Sequence, residues 1–84
     1  MVIASFSNYP DIRASADVVD EVSDSLMYMG IAGPGTTSVE DPTWSVCRVQ
    51  KAGSILTITW ADGQCLFNKA FADRADLNYT FRKF

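Results

Sequence analysis

The chain has 84 residues, a net charge of −3, 48% apolar residues and no histidine. A chain of this length folds as one domain with a thin core, burying roughly 60–65% of its unfolded surface. The acidic balance argues against nucleic-acid binding, which needs a basic stripe, and the lack of histidine removes a common metal ligand and general base. No apolar run approaches the ~18 residues of a transmembrane helix, so we expect no membrane partner.

The N-terminal segment, residues 1–16, joins a short apolar start to the turn signal Asn8-Tyr9-Pro10-Asp11. We interpret it as an extended arm or edge strand of a single β domain that spans residues 1–84. Its first residues lack the basic start of a signal peptide, so we expect synthesis and use without Sec export.

Residues 17–32 fit two patterns. A helix would start at Ser15 and end before Gly30, with apolar side chains at helical spacing at Val18, Val22, Leu26 and Met29. A strand would alternate between two faces over the same stretch. We favour a strand over Ser23–Ala32, because the sheet predicted in the rest of the chain needs partners and a lone hairpin is marginal.

Residues 33–43 form a predicted loop, since two prolines and two glycines cannot continue a hydrogen-bonded ladder. Gly33–Ser38 within it is rich in glycine and hydroxyl groups but lacks the lysine of a phosphate-binding loop. We therefore expect a connector within one domain.

Residues 44–67 predict two adjoining hairpins. Trp44–Gln50 and Ser54–Trp60 are rich in β-branched and aromatic residues and flank the turn Lys51-Ala52-Gly53, while Asp62-Gly63 is typical of the next turn. A three-residue first turn places Trp44 opposite Trp60, and a two-residue second turn places Trp60 opposite Cys65. One face would then be continuously apolar, carrying Trp44, Val46, Leu56, Ile58, Trp60, Cys65 and Phe67. This face is expected to fix the register, because a one-residue slip would swap the faces.

The C-terminal part predicts a helical turn or irregular crossover over Asn68–Ala75, followed by a closing strand over Asp76–Arg82 in which apolar and polar residues alternate. The predicted fold is therefore all-β, a small antiparallel meander of four to six strands. A barrel and a sandwich remain open as ways to close it.

The chemistry-bearing residues favour structural roles. The predicted register puts Cys47 and Cys65 on opposite faces, so we expect two free thiols. Asp62 fits its turn, and Arg74 between two carboxylates is expected to form a local salt bridge that anchors a bend. We predict no enzymatic activity, no catalytic residue, no cofactor and no metal.

Trp44 and Trp60 are expected to be core residues, because cross-strand aromatics on the richer apolar face usually pack inside, with contact to a partner and a ligand platform as the alternatives. Aromatic side chains, together with Arg74, are the candidates for contact with other proteins. The candidate interface residues are Phe6, Tyr9, Tyr28, Trp44, Trp60, Arg74, Tyr79 and Phe84.

A larger pattern spans roughly residues 22–80. It reads Tyr28-x-Gly30-x-Ala32-x-Pro34-Gly35-Thr36, Trp44-x-Val46-x-Arg48, Trp60-Ala61-Asp62-Gly63, Phe67-Asn68 and Arg74-x-x-Leu77-x-Tyr79. In order and spacing it resembles a group of small β-rich virion-associated proteins of tailed bacteriophages. Val46 and Phe71 depart from the group, which often has isoleucine and tryptophan there.

The resemblance implies a non-enzymatic structural or assembly protein of a virion, an accessory component of head, neck or tail. Its partners would be other virion structural proteins and copies of itself, with no nucleic acid, and it would be assembled in the host bacterial cytoplasm. The alternative is a small binding module, for a host glycan through Trp44, Trp60 and Tyr28 or for a host protein that it inhibits.

Overall fold

The computed structural model describes residues 15–83, which form one antiparallel sheet of five strands. The strands are β1 (Val18–Ser23), β2 (Leu26–Ala32), β3 (Trp44–Ala52), β4 (Ile55–Ala61) and β5 (Tyr79–Thr80), and their order in the sheet is their order in the chain. The predicted all-β meander is confirmed, and the described sheet does not close into a barrel. Of the predicted N-terminal arm only Ser15 and Ala16 are described, and neither belongs to a strand.

The ambiguous stretch 17–32 is a hairpin, so the strand interpretation holds and the helical alternative is wrong. Two strands replace the single predicted one, because Asp24 and Ser25 form a two-residue turn between the paired residues Ser23 and Leu26. Asp17 holds the end of this hairpin that lies opposite its turn, through two hydrogen bonds to β2. Its amide donates to the Gly30 carbonyl at 2.9 Å, and its carboxylate accepts from the Ala32 amide at 2.8 Å.

The hairpin of β3 and β4 has a different register from the predicted one. Ala52 pairs with Ile55 and Cys47 pairs with Trp60, so the turn consists of Gly53 and Ser54 alone. Gly53 has a φ of +63° at the first of the two turn positions, as in a type II′ turn, rather than at the last position of a three-residue turn. The pairing is displaced by an odd number of residues, and this reverses the faces of β4 relative to β3.

In the second predicted hairpin, the strand expected after the turn, over residues 64–67, does not form. Asp62 and Gly63 do make a turn, with φ of 55° and 69° and a hydrogen bond from the Gln64 amide to the Ala61 carbonyl at 3.1 Å. Residues 64–67 then leave the sheet, because the crossover is held instead by Lys69, whose backbone exchanges two hydrogen bonds with Trp44.

The place beside β4 is taken by β5, inside the predicted closing strand but limited to Tyr79–Thr80. The expected helical turn of the crossover is a 3₁₀ helix over Phe71–Asp76.

The sheet has two apolar faces. The aromatic face carries the buried side chains of Tyr28, Trp44, Val46 and Ala61, covered by Phe71 from the 3₁₀ helix. The methionine face carries the buried side chains of Met27, Met29, Cys47 and Val49, with Val19, Leu56 and Trp60 packed against them. Trp44 and Trp60 therefore lie on opposite faces, which corrects the prediction that they share one.

Gly30 is where the aromatic face is tightest. The Phe71 and Trp44 ring centroids are 5.8 Å apart, and both rings rest on the Gly30 backbone. A Cβ at position 30 would lie 2.6 Å from Phe71 Cδ1 and 3.0 Å from Trp44 Cε3, which is closer than carbon atoms pack. A glycine within a strand commonly marks such a close approach.

We predict that Gly30→Ala lowers the free energy of unfolding by about 1–3 kcal/mol, since overpacking a core costs this much even though alanine is the better strand residue. Urea unfolding of the parent and the variant measures the difference.

The control is the same substitution in a Phe71→Leu background, where the ring that meets the new methyl group is absent. There the cost of Gly30→Ala should shrink. An equal cost in both backgrounds would show that the Phe71 contact is not its cause.

Candidate protein interface

The structure separates the predicted interface residues. Phe6, Tyr9 and Phe84 lie outside the described residues. Tyr28 and Trp44 are buried in the aromatic face, where they cannot meet a partner. The Trp44 indole is fully engaged, since its Nε1 donates to the Ser38 carbonyl at 2.9 Å.

Arg74 is an anchor within the domain. Its Nε donates to the Asp20 carboxylate at 2.8 Å, and its Nη1 donates to the Phe71 carbonyl at 3.3 Å. The guanidinium also lies over the Phe71 ring, 5.0 Å from the centroid. The predicted role as an anchor therefore holds, but the salt-bridge partner is on β1, distant in sequence, rather than the neighbouring Asp73 or Asp76.

Tyr79, half-buried on the aromatic face, ties β5 to the same region. Its hydroxyl donates to the Arg74 carbonyl at 2.6 Å, and its ring lies 5.7 Å from that of Tyr28. Burial raises the pKa of Tyr79, and the neighbouring Tyr28 raises it further, against the opposing effect of Arg48 and Arg74. The phenol thus stays protonated and acts as a hydrogen-bond donor.

Arg48, which the predicted register places at the margin of the apolar face, makes a contact with Tyr79 that the sequence does not predict. It lies half-buried on the aromatic face with its guanidinium 4.9 Å from the Tyr79 ring centroid. Within residues 15–83 it pairs with no carboxylate, and its Nε is buried without a hydrogen-bond partner. Its place in the alternation of β3, in step with Trp44 and Val46, was the signal that it points inward.

Trp60 is the predicted aromatic that reaches a surface groove. The groove has a volume of about 300 Å³ and is lined, among the described residues, by Ser15, Ala16, Met29, Ile31, Cys47, Ile58 and Trp60. A second hollow of about 400 Å³ adjoins it, lined by Ile58, Trp60, Phe81 and Arg82. Ile58 is 40% exposed and Phe81 is 72% exposed. We call Ile58, Trp60 and Phe81 the Trp60 patch.

The chemistry of this patch is almost wholly apolar. Cys47, one of the residues that line the groove, is buried, and burial raises the pKa of its thiol to about 12, with Cys65 adding to the shift. A thiol with so high a pKa is a weak nucleophile at neutral pH. Within the part of the chain that is described, no three side chains of histidine, cysteine, aspartate or glutamate come together as a metal site would need.

Asp41 belongs to the connecting loop, away from this patch. Its carboxylate accepts from the Thr37 amide at 2.9 Å, the Thr37 hydroxyl at 3.1 Å and the Ser38 amide at 3.2 Å. The hydrogen bonds from Thr37 and Ser38 lower the pKa of Asp41. This carboxylate is therefore explained as a loop cap and not as an acid or base for catalysis.

The fold and the patch define a small antiparallel sheet domain with one covered face and an exposed apolar patch at the β4 side of the other. Comparison with protein-family models, with curated proteins and with solved structures finds no match for this chain. No helix among residues 15–83 is long and apolar enough to cross a membrane.

The two thiols, both free as predicted, should differ sharply in reactivity. Cys65 is exposed, whereas Cys47 is 2% exposed. We predict that an aromatic disulfide reagent modifies one thiol of the native protein quickly and the second only on unfolding. Cys65→Ser should abolish the fast phase and Cys47→Ser should leave it. Equal rates in the native protein would contradict the burial of Cys47.

The two indoles give a test of the register. With Trp44 buried in the aromatic face, the Trp60→Phe variant should show blue-shifted emission that acrylamide quenches weakly. The Trp44→Phe variant should report Trp60, with emission shifted to the red and stronger quenching. Similar quenching of both would favour the originally predicted register, in which the indoles share a face.

Proposed function

We propose that this chain is a non-enzymatic assembly protein of a tailed-phage virion, an accessory component of head, neck or tail that buries the Trp60 patch against neighbouring subunits. The observation that carries the proposal is the patch itself. The virion setting rests on the sequence pattern that resembles small virion-associated proteins.

The composition of the patch fits a contact surface. Interface centres are enriched in aromatic residues and depleted of charge, and Phe81 and Trp60 meet that description with Arg82 at the margin. Burying apolar surface is worth about 25 cal/mol per Å², so side chains as exposed as Phe81 and Ile58 gain from docking. A domain of this size has a thin core and benefits from stabilisation by partners.

The glycan alternative loses its basis in the geometry. It relied on Tyr28, Trp44 and Trp60 as one platform, but the first two are buried in the aromatic face and Trp60 lies on the other. The Trp60 groove also presents few hydrogen-bonding groups, which a sugar site requires.

The proposal predicts that the chain is present in purified particles in stoichiometric amounts, as measured by quantitative mass spectrometry. Phe81→Ser, which removes the most exposed side chain of the patch, should strongly reduce incorporation. The matched control is Leu66→Ser, which removes a side chain that is 57% exposed in the crossover, outside the patch; incorporation should be unchanged.

Either of two results would contradict the proposal. A chain confined to the soluble fraction of early lysates and absent from particles would favour the inhibitor of a host protein. Equal incorporation of both variants would mean that the patch is not the contact surface.

A further inference from the structure

The methionine face is buried, although residues 15–83 do not supply a layer that covers it. The side chains of Met27 and Val49 are 0% exposed, and Cys47 is 2% exposed. A single sheet leaves each of its faces open to water unless another element packs against that face. The burial of these side chains on the two middle strands therefore calls for a covering element outside the sheet.

A comparison of the two faces shows where this element enters. On the aromatic face, Phe71 and Leu77 reach the buried side chains from the crossover, outside the strands. On the methionine face, the half-buried apolar residues that pack against the buried side chains belong to β1 and β4, with one exception. The exception is Ala16, which precedes β1. Among the described residues, the contact from outside the sheet thus comes from the place where the N-terminal segment joins it.

The groove beside Trp60 begins at this same place. Its lining joins Ser15 and Ala16, which lead into β1, to Trp60 on β4. Between them, Met29, Cys47 and Trp60 are paired in one row across β2, β3 and β4. The groove therefore crosses the strands of the methionine face, and the chain that precedes Ser15 starts inside it.

We propose that residues 1–14 of the same chain, which lie outside the described residues, occupy this groove and cover the methionine face. The segment is long enough. Three strand spacings of about 4.8 Å separate β1 from β4, and about five extended residues at roughly 3.3 Å each span that distance. The inference concerns how the domain completes its own core, so it goes beyond the proposed function and does not rest on it.

The composition of the segment suits an apolar groove. Its two charged side chains, Asp11 and Arg13, are of opposite sign, and Ile12 comes only three residues before Ser15. Apolar side chains gain most from burial against such a lining. The large apolar and aromatic side chains of the segment are Met1, Val2, Ile3, Phe6, Tyr9 and Ile12.

Attachment favours this segment over a separate molecule. Ser15 and Ala16 already line the groove, so the residues just before them are held beside it by the chain. A short tether of this kind gives an effective concentration in the millimolar range, which a separate partner rarely reaches. Phe81 lines the adjoining hollow and not the groove, so it stays available to a neighbouring subunit.

The decisive experiment is NMR of the full chain with ¹³C-labelled methionine methyl groups. Met27 and Met29 place two such methyl groups on the methionine face, and Met27→Leu and Met29→Leu assign their signals. Both should show nuclear Overhauser effects to protons of residues 1–14, because these effects require close contact. The control is Val46, buried on the aromatic face, whose labelled methyl groups should show no effect to the same protons.

A second measurement follows the energetic contribution of the segment. Phe6→Ser in the full chain removes a large apolar side chain and should raise the equilibrium constant for unfolding about tenfold or more, as measured by urea unfolding. The matched control is Leu66→Ser in the exposed crossover, which should change that constant by about twofold at most. With Cys65→Ser as background, Phe6→Ser should also speed modification of Cys47, the thiol in the groove.

Two results would overturn the inference. One is the absence of Overhauser effects between residues 1–14 and the methyl groups of Met27 and Met29, and the other is equal stability of Phe6→Ser and Leu66→Ser. In a mixed sample of labelled and unlabelled chains, effects that arise only between copies would place the segment of another molecule in the groove and overturn the same-chain assignment. The amount of the chain in particles is a separate readout, so the proposed function can fail while this inference holds.

Discussion

The packing of two tilted aromatic rings against one glycine is the contact on which the domain depends. Phe71 and Trp44 meet over Gly30, and this fixes where the 3₁₀ helix lies on the sheet. The helix carries Arg74, which donates a hydrogen bond to Asp20 on β1. The Arg74 carbonyl accepts a hydrogen bond from Tyr79 on β5, so this one residue connects the two edge strands of the sheet. One crossover thereby covers one face and delivers β5 to the edge of β4. A chain of this length buries little apolar surface, so a few close contacts have to stabilise what a large core would stabilise in a bigger domain.

The class of fold was easier to predict from the sequence than the register in which the strands pair. Alternation and turn residues were enough to predict an antiparallel meander, the loop over 33–43 and a crossover of helical or irregular form. The register of β3 and β4 depended on whether Gly53 opens a two-residue turn or ends a three-residue one, and both are compatible with a single glycine between two apolar runs. The two turns give pairings that differ by an odd number of residues. The wrong turn therefore placed Trp60 on the same face as Trp44 instead of the opposite one. The hairpin after Asp62-Gly63 failed for another reason: the turn forms, but Lys69 pairs with Trp44, a contact that local sequence does not encode.

The site was predictable only in part, because aromatic content alone does not distinguish core from surface. Trp44, Tyr28 and Tyr79 belong to the aromatic face, and so do Gly30, Val46 and Ala61. The larger sequence pattern over residues 22–80 therefore mostly describes how this face is built, and hardly concerns the Trp60 patch. Trp60 is the exception. Ile58 shares its face by strand alternation in either register, but Phe81 is distant from both in the sequence, and only the short β5 brings it beside Trp60.

The outer edge of β4 and the Trp60 patch lie on the same side of the domain for one structural reason. β5 is only two residues long, so it leaves the outward backbone of Leu56 and Ile58 unpaired among the described residues and also leaves Phe81 beside Trp60 rather than in a ladder. A longer β5 would have protected the edge and covered part of the patch in one step. The short strand instead leaves both the outward backbone groups of β4 and the Trp60 patch uncovered by the described residues. Since unpaired strand edges with high β-propensity are an aggregation hazard, covering this edge would protect the protein from uncontrolled association.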